Sequence, residues 1–250
     1  MVSYASPKNL RPAWTRRDHP IVRQYLRKAL PIRFGFLIVG GAVVLFLLFG
    51  GLSLPMLYFL FSLIILLQIA IHTSDKIHQA REGYTWDLVL ATPYSQREVL
   101  LSLWAATVWQ VNSTWLMLFY RLLQGMIVTG VIVFSLLFAE IPVIDWSLVL
   151  VGGTLVIAIQ PFADMYYSGM TGLLSANLTY DRMAAYGLAV GAVLVYWFVW
   201  LGLTGLVLVT NAGQLELAAI LSVLALPVVL PGLAGYVFFR LAERLARLQR

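Results

Sequence analysis

The sequence predicts an all-α membrane protein with six transmembrane helices, and three observations lead to that prediction. First, 61% of the 250 residues are hydrophobic and only 11% are charged, against about 45–50% and about 25% in soluble domains. Second, six apolar blocks each approach the ~20 residues that cross a hydrocarbon core of about 30 Å. Third, all 17 Lys and Arg residues fall on one side of the resulting six-span arrangement.

The charges around the apolar blocks set the predicted orientation. The blocks occupy residues 34–51, 54–72, 115–139, 147–175, 184–209 and 217–239. Six crossings place both termini on the same side of the membrane. The only charged residues in the three loops on the opposite side are acidic, namely Glu140, Asp145 and Glu216. Because loops rich in Lys and Arg stay in the cytoplasm, we expect both termini there.

Composition and the missing motifs exclude several classes of function. The chain has no cysteine, which excludes disulfides, thiolate metal sites and a cysteine nucleophile. Its net charge of +6 is explained by the enrichment of Lys and Arg on the cytoplasmic face of a membrane protein, so we predict no nucleic-acid partner. The phosphate-binding P-loop, HExxH and GxSxG patterns are missing from the sequence. We therefore expect a non-enzymatic chain with no catalytic residues, metal or cofactor of its own.

The N-terminal region divides into a basic arm at 1–17 and an amphipathic helix at 18–33. Asp18 is a candidate N-cap, and Pro20 falls in the first turn. The apolar face consists of Val22, Tyr25, Leu26, Ala29 and Leu30, and the polar face of Arg23, Gln24, Arg27 and Lys28. This pattern predicts an interfacial helix on the inner leaflet of the bilayer. At the other end, residues 240–250 are predicted to form a basic cytoplasmic tail.

A charged insert, residues 73–114, interrupts the predicted six-span domain of 34–239. The second apolar block continues as a helix to Glu82, which makes it longer than the membrane is thick, so its end projects into the cytoplasm. Gly83 suits the end of that helix.

Two further helix signals follow within the insert. Thr85 can cap a short helix, and Pro93 ends it. Ser95 and Glu98 form a capping box that starts a helix returning to the membrane. The insert is therefore predicted to hold a small rigid element away from the membrane, where contact with another protein is its expected use. The alternative is that these charges only solvate a loop.

Residues 81–98, REGYTWDLVLATPYSQRE, resemble the cytoplasmic insert of ABC-2 type permeases, the membrane subunits of one class of ABC exporters. Matching positions are Arg81, Glu82, Gly83, Thr85 (displaced by one position), Asp87, Leu88, Thr92, Pro93, Ser95 and Glu98. Two positions depart from the pattern, because Ala80 replaces the leading acid and Ser102-Leu103 replaces a Gly-Lys pair. The stretches 172–187 and 19–23 resemble the second cytoplasmic turn and the opening amphipathic helix of the same family.

The resemblance implies a coupling helix at about 84–91 that sits in a cleft of a separate cytoplasmic ABC ATPase subunit. The residues expected to contact that subunit are Arg81, Glu82, Gly83, Tyr84, Thr85, Asp87, Thr92, Pro93, Ser95 and Glu98. ATP and Mg²⁺ would bind to the ATPase, not to this chain. Two permease subunits, identical or paralogous, would form a dimer in a prokaryotic inner membrane and export a hydrophobic or amphipathic substrate.

Gln160 and Asp164 are the candidates for a substrate path, because an acid within a membrane segment is a functional candidate. Asp164 lies 18 residues after Trp146, or about 27 Å along a helix. This depth is close to the inner boundary of the membrane, so we expect Asp164 to meet water or a partner helix. In the next block, Gly187 and Gly191 form a GxxxG pattern that permits close helix packing.

Three other interpretations stay open at this point. A non-transporting membrane scaffold or anchor is favoured by an interior that is poor in polar groups, although a lipidic substrate explains that equally well. An ion-coupled secondary transporter would favour inverted repeats, which the sequence lacks. A metal site at His72, Asp75, His78 and Glu82 is disfavoured because their spacing matches no standard ligand set.

Overall fold

A computed structural model describes residues 17, 19–26, 53–82, 94–137, 146–210 and 217–248, and throughout these ranges the regular structure is α-helix. The helices are α1 (Pro20–Leu26), α2 (Ser53–Glu82), α3 (Gln96–Asn112), α4 (Trp115–Leu137), α5 (Trp146–Leu178), α6 (Arg182–Thr210) and α7 (Leu217–Leu248). The predicted all-α class is confirmed. The first apolar block, 34–51, lies outside the described residues, so the count of six spans stays a prediction.

Three helices are long and apolar enough to cross a membrane. They are Leu57–Glu82 within α2, Arg182–Leu203 within α6 and Ala225–Leu248 within α7. In α4, the apolar stretch Leu116–Gly130 is shorter. Helix α5 has 33 residues, but polar side chains recur along its second half. The length and composition of these three helices are those expected of a membrane protein.

Helix α5 lies at the centre of the bundle and packs against α2, α3, α4, α6 and α7. From Asp164 to Asn177, every residue of α5 is buried or half-buried, so no side of this stretch faces outward. A Cβ atom added at Gly169 would clash with the indole of Trp104, and one at Gly172 would clash with the carbonyl oxygen of Ala70. The missing side chains therefore allow α3 and α2 to approach the α5 backbone.

Helix α6 is buried along one stripe only. The buried residues are Ala185, Ala189, Val193, Tyr196 and Trp200, which recur every three or four positions. Gly187 and Gly191 lie off this stripe, and a Cβ added at either would meet no atom within 4 Å. The GxxxG pattern thus makes no close helix contact within the described part of the chain, and the close approaches occur at Gly169 and Gly172 instead.

Helix α1 confirms the predicted amphipathic pattern over Pro20–Leu26. Ile21 and Val22 are buried, whereas Arg23 and Gln24 are exposed. The apolar face packs against α3, because α3 presents Val99 and its apolar neighbours to the same hydrophobic cluster. The rest of the predicted helix 18–33 and most of the arm 1–17 lie outside the described residues.

Two segments that lie outside the predicted spans are helical and contribute to the core. Helix α3, predicted as the helix that returns from the insert to the membrane, buries Val99, Leu100 and Leu103 in the main core. The predicted tail at 240–250 continues α7 as far as Leu248. Ala242 and Ala246 explain this, because they repeat at helical spacing and both are buried.

Candidate functional site

The two stretches that carry the strongest resemblance, 81–98 and 172–187, meet where the end of α2 contacts the turn between α5 and α6. Residues 179–181 form that turn. Asp181 caps α6, because its Oδ1 accepts a hydrogen bond from the Met183 amide at 3.1 Å and its Oδ2 accepts one from the Ala184 amide at 3.3 Å. The cap fixes where α6 begins and keeps the turn short.

Arg81 attaches the end of α2 to the end of α5. Its Nη1 donates to the carbonyl oxygen of Ala176 at 2.7 Å, and its Nη2 donates to Oδ1 of Asn177 at 2.8 Å. The last carbonyl groups of a helix have no partner within the helix and carry partial negative charge, so a guanidinium group is well suited to them. The Arg81 guanidinium also lies 5.7 Å from the centre of the Tyr180 ring.

Arg182 makes the reciprocal attachment, from the start of α6 to α2. It forms an ion pair with Asp75 through Nη2, and its Nε donates to the Tyr186 hydroxyl at 2.7 Å. Tyr186 in turn donates to Oδ1 of Asp75. Oδ2 of Asp75 accepts a hydrogen bond from the side-chain amide of Gln79 at 2.5 Å. Both carboxylate oxygens of Asp75 are therefore occupied by donors.

These contacts define a group that we term the polar clamp, consisting of Asp75, Arg81, Asn177, Arg182 and Tyr186. The Arg182 side chain is 42% exposed and that of Asp75 is 16% exposed, so water partly screens the ion pair. Such pairs contribute about 1 kcal/mol or less to stability. The hydrogen bonds from Arg81 are charge-assisted and cross between helices, so they carry more of the attachment. The polar clamp is suited to joining helices mechanically, not to chemical catalysis.

The predicted capping box at the start of α3 is confirmed. The Ser95 hydroxyl accepts a hydrogen bond from the Glu98 amide at 3.2 Å, and the Ser95 amide donates to Oε2 of Glu98 at 2.9 Å. Each side chain thus satisfies a backbone N–H group at the start of the helix, where intrahelical acceptors are missing. Ser95 and Glu98 therefore fix where the chain re-enters helix after Pro93.

The structure describes only part of the predicted ATPase-contact set. Gly83, Tyr84, Thr85, Asp87, Thr92 and Pro93 lie outside the described residues. Of the others, Arg81 belongs to the polar clamp, and the Glu82 side chain is 61% exposed with Oε2 at 3.9 Å from Nη1 of Arg182. Ser95 and Glu98 bond to each other in the capping box.

Of the two substrate-path candidates, Asp164 is the more deeply placed. It is only 3% exposed, and its Oδ1 accepts a hydrogen bond from the Tyr196 hydroxyl at 2.5 Å. Gln160, one turn earlier on α5, is half-buried. Between the two sequence-based expectations for Asp164, water or a partner helix, the structure shows the partner helix, α6.

Lys76 is buried, although its position in the sequence predicts a place outside the spans. It is 5% exposed, and its Nζ donates to Oγ1 of Thr107 at 3.1 Å and to Oε1 of Gln110. Helical spacing is the signal in the sequence that could have predicted this burial, because Lys76 lies on the same face of α2 as the buried residues Ile69 and Thr73. Lys76 therefore joins α2 to α3 through neutral acceptors.

The metal-site alternative finds no geometric support in the described ranges, where no cluster of three or more His, Asp or Glu residues is suited to an ion. Asp75 is engaged by Arg182 and Tyr186 instead. No protein-family model, curated protein or solved structure matches this chain.

Proposed function

We propose that this chain is the permease subunit of an ABC-2 type exporter of a hydrophobic or amphipathic substrate, driven by a separate ATPase subunit through a coupling helix at about 84–91. The observation that carries the proposal is the polar clamp. It attaches the end of α2, which leads directly into the predicted coupling helix, to the helices that follow in the bundle. A transport subunit needs such an attachment if it is to respond to movement at its surface.

The attachment is double, which restricts how the helices can move. Arg81 holds the end of α5, and Arg182 at the start of α6 holds Asp75 on α2. A displacement of residues 84–91 would therefore pull on α5 and α6 together. Coupling of this kind needs a physically continuous set of contacts between two sites, and the polar clamp supplies its first link.

Helix α5 extends that link into the bundle. It contacts α2, α4, α6 and α7, and Asn177 lies 13 residues, or about 20 Å, from Asp164 along the same helix. Because α5 is one continuous helix, a displacement of its C-terminal end would also move the candidate substrate-path residues. In the proposed dimer, the two copies of this bundle would switch the access of the substrate path between the membrane faces.

A pull-down from the native membrane tests the proposal. The full chain, carrying an affinity tag, is purified gently, and its partners are identified by mass spectrometry. We expect a stoichiometric partner that carries a P-loop motif. The double variant Glu82→Lys and Asp87→Lys should lose that partner, because it reverses both acidic charges next to and within the coupling helix.

A matched control reverses two acids on the predicted opposite face, in Glu140→Lys combined with Asp145→Lys, and should keep the ATPase partner. Stable partners without any ATPase would contradict the proposal and favour a membrane scaffold. Retention of the ATPase partner by the Glu82 and Asp87 variant, together with an unchanged ATPase rate, would contradict the assigned role of the insert.

A further inference from the structure

Three helices, α2, α4 and α6, bring tyrosine hydroxyl groups together around Asp164 of α5 in the apolar interior. Tyr196 of α6 donates to Oδ1 of Asp164 at 2.5 Å. Beside them, Tyr120 of α4 donates to the Tyr58 hydroxyl of α2 at 3.0 Å, and the two rings stack with their centres 5.1 Å apart. We term these four residues, Tyr58, Tyr120, Asp164 and Tyr196, the tyrosine cluster.

The tyrosine cluster is buried inside the helix bundle. Asp164 is 3% exposed, and each of the three tyrosines is 7% exposed or less. Its neighbours are hydrophobic, since Tyr58 and Tyr120 share a core with Leu57, Phe61 and other apolar residues. An ionised carboxylate in such surroundings loses most of its hydration energy, which the hydrogen bonds from Tyr196 and Gln160 replace only in part.

The electrostatic surroundings do not supply the missing compensation. Among the described residues, no Lys, Arg or His forms an ion pair with Asp164. The titratable groups that face it are the phenols of Tyr58, Tyr120 and Tyr196, from α2, α4 and α6. Each of these is neutral or negative, so none offsets a carboxylate charge.

The charged groups on the helices that pack against α5 are engaged elsewhere. Arg121, which follows Tyr120 on α4, donates to Oδ1 of Asn112. From α3, the group that reaches this level is Trp104, whose indole donates to the Met165 carbonyl at 3.2 Å. On α7, Glu243 pairs with Arg240 and Arg247. The apolar block 34–51 contains no charged residue in its sequence.

We propose that Asp164 is a proton-binding site. In the packed arrangement of α5 and α6 the carboxyl group holds a proton, taken from water, and remains neutral. The Tyr196 hydroxyl donates to one carboxyl oxygen, and Gln160, one turn earlier, hydrogen-bonds to the same carboxyl group. When α5 and α6 separate and water reaches the group, the proton returns to water and the carboxylate forms.

This inference is independent of the proposed ATPase coupling, because it concerns only the packing of α5 against α6. Its consequence is that proton concentration biases the arrangement of these two helices. Acidic conditions favour the packed arrangement, which holds the proton, and alkaline conditions favour the separated one. The direction follows from linkage, since the state that binds more protons gains stability as the pH falls.

Infrared spectroscopy of the purified full chain in lipid nanodiscs tests this at neutral pH. The carbonyl stretch of a protonated carboxylic acid should be present in the unaltered protein and absent in Asp164→Asn. The matched control is Asp75→Asn, which removes the carboxylate of the polar clamp that is paired with Arg182 and should keep the band. Tyr196→Phe should keep the band but shift it, because it removes the donor to Oδ1.

Identical spectra of the unaltered protein and Asp164→Asn in this region would overturn the proposal. If Asp164→Asn fails to fold, an unshifted band in Tyr196→Phe would overturn it, because the band would then not report on this carboxyl group. Thermal unfolding separates a proton from a metal cation. A neutral Asp164 predicts that Asp164→Asn does not lower the melting temperature at neutral pH, because asparagine removes the cost of protonating the carboxyl group on folding. Stabilisation by Na⁺ or K⁺ that Asp164→Asn abolishes would overturn proton binding in favour of a cation.

Discussion

Helices α5 and α6 follow each other in the chain, yet they occupy opposite environments. From Asp164 to Asn177, α5 is enclosed by its neighbours, whereas α6 is buried along one stripe and exposes apolar side chains such as Val195 and Phe198. The enclosed helix carries the polar groups, and the outer one is almost wholly apolar. This is the reverse of a soluble protein, and it is the arrangement expected when the outer surface faces lipid.

The comparison also shows what glycine does in each helix. Gly172 of α5 lies directly against the α2 backbone, while a Cβ added at Gly187 of α6 would meet no atom of the described residues within 4 Å. Both lie in helix interiors, where an alanine is intrinsically more favourable than glycine by up to about 1 kcal/mol. The packing around each glycine therefore decides whether a substitution by alanine raises or lowers the free energy of unfolding. The two positions form a natural pair for testing this.

The largest effect is expected from Gly172→Ala. The new Cβ would clash with the Ala70 carbonyl oxygen and lie 3.0 Å from Cβ of Thr73, so α2 and α5 must move apart. We expect a loss of about 1–3 kcal/mol in the free energy of unfolding, the usual cost of overpacking. Gly187→Ala is the control and should be neutral or slightly stabilising. Chemical denaturation in detergent measures both, and equal stability of the two variants would contradict the central position of α5.

An intermediate and local effect is expected from Arg81→Lys. Lysine keeps the positive charge but lacks the planar fork that reaches both Ala176 and Asn177. Losing one charge-assisted hydrogen bond costs about 1.5 kcal/mol, which corresponds to roughly tenfold faster opening. Hydrogen exchange at residues 174–182 should therefore accelerate by about that factor.

The matched control for this prediction is Arg23→Lys, which alters an exposed arginine of α1. It should leave hydrogen exchange at residues 174–182 unchanged. If both variants leave that exchange unchanged, the polar clamp does not hold the end of α5.

The smallest effect is expected from Ser95→Ala, which removes the cap of α3. Losing the hydroxyl that accepts from the Glu98 amide costs about 1 kcal/mol. Glu98→Gln is the control, because glutamine can also complete a capping box and should change stability less. Unfolding measurements under one set of conditions compare the two variants. An equal loss in both would mean that the charge of Glu98 contributes as much as the Ser95 hydroxyl, which contradicts the prediction.

Local features of this fold could be predicted from the sequence. The span of α2, the capping box at Ser95 and Glu98 and the amphipathic pattern of α1 each depend on residues within a few positions of one another. Helical periodicity and capping chemistry are readable at that range. The all-α class followed from the same patterns.

The contacts between helices could not be predicted in this way. Arg81 and Ala176 are separated by 95 residues, and Lys76 and Thr107 by 31. No periodicity connects such positions, because the partner depends on which helix faces are adjacent after packing. The GxxxG pattern of α6 illustrates this, since a small residue permits close approach without specifying that a neighbour will be there.

Helix α2 runs unbroken for 30 residues, so it acts as a stiff lever about 45 Å long. Tyr58 of the tyrosine cluster lies near one end and Arg81 of the polar clamp at the other, about 35 Å apart along the axis. With its pivot at Tyr58, a tilt of only about 5° would sweep Arg81 through about 3 Å. That is the length of a hydrogen bond, so a small rotation deep in the bundle is enough to engage or release the polar clamp.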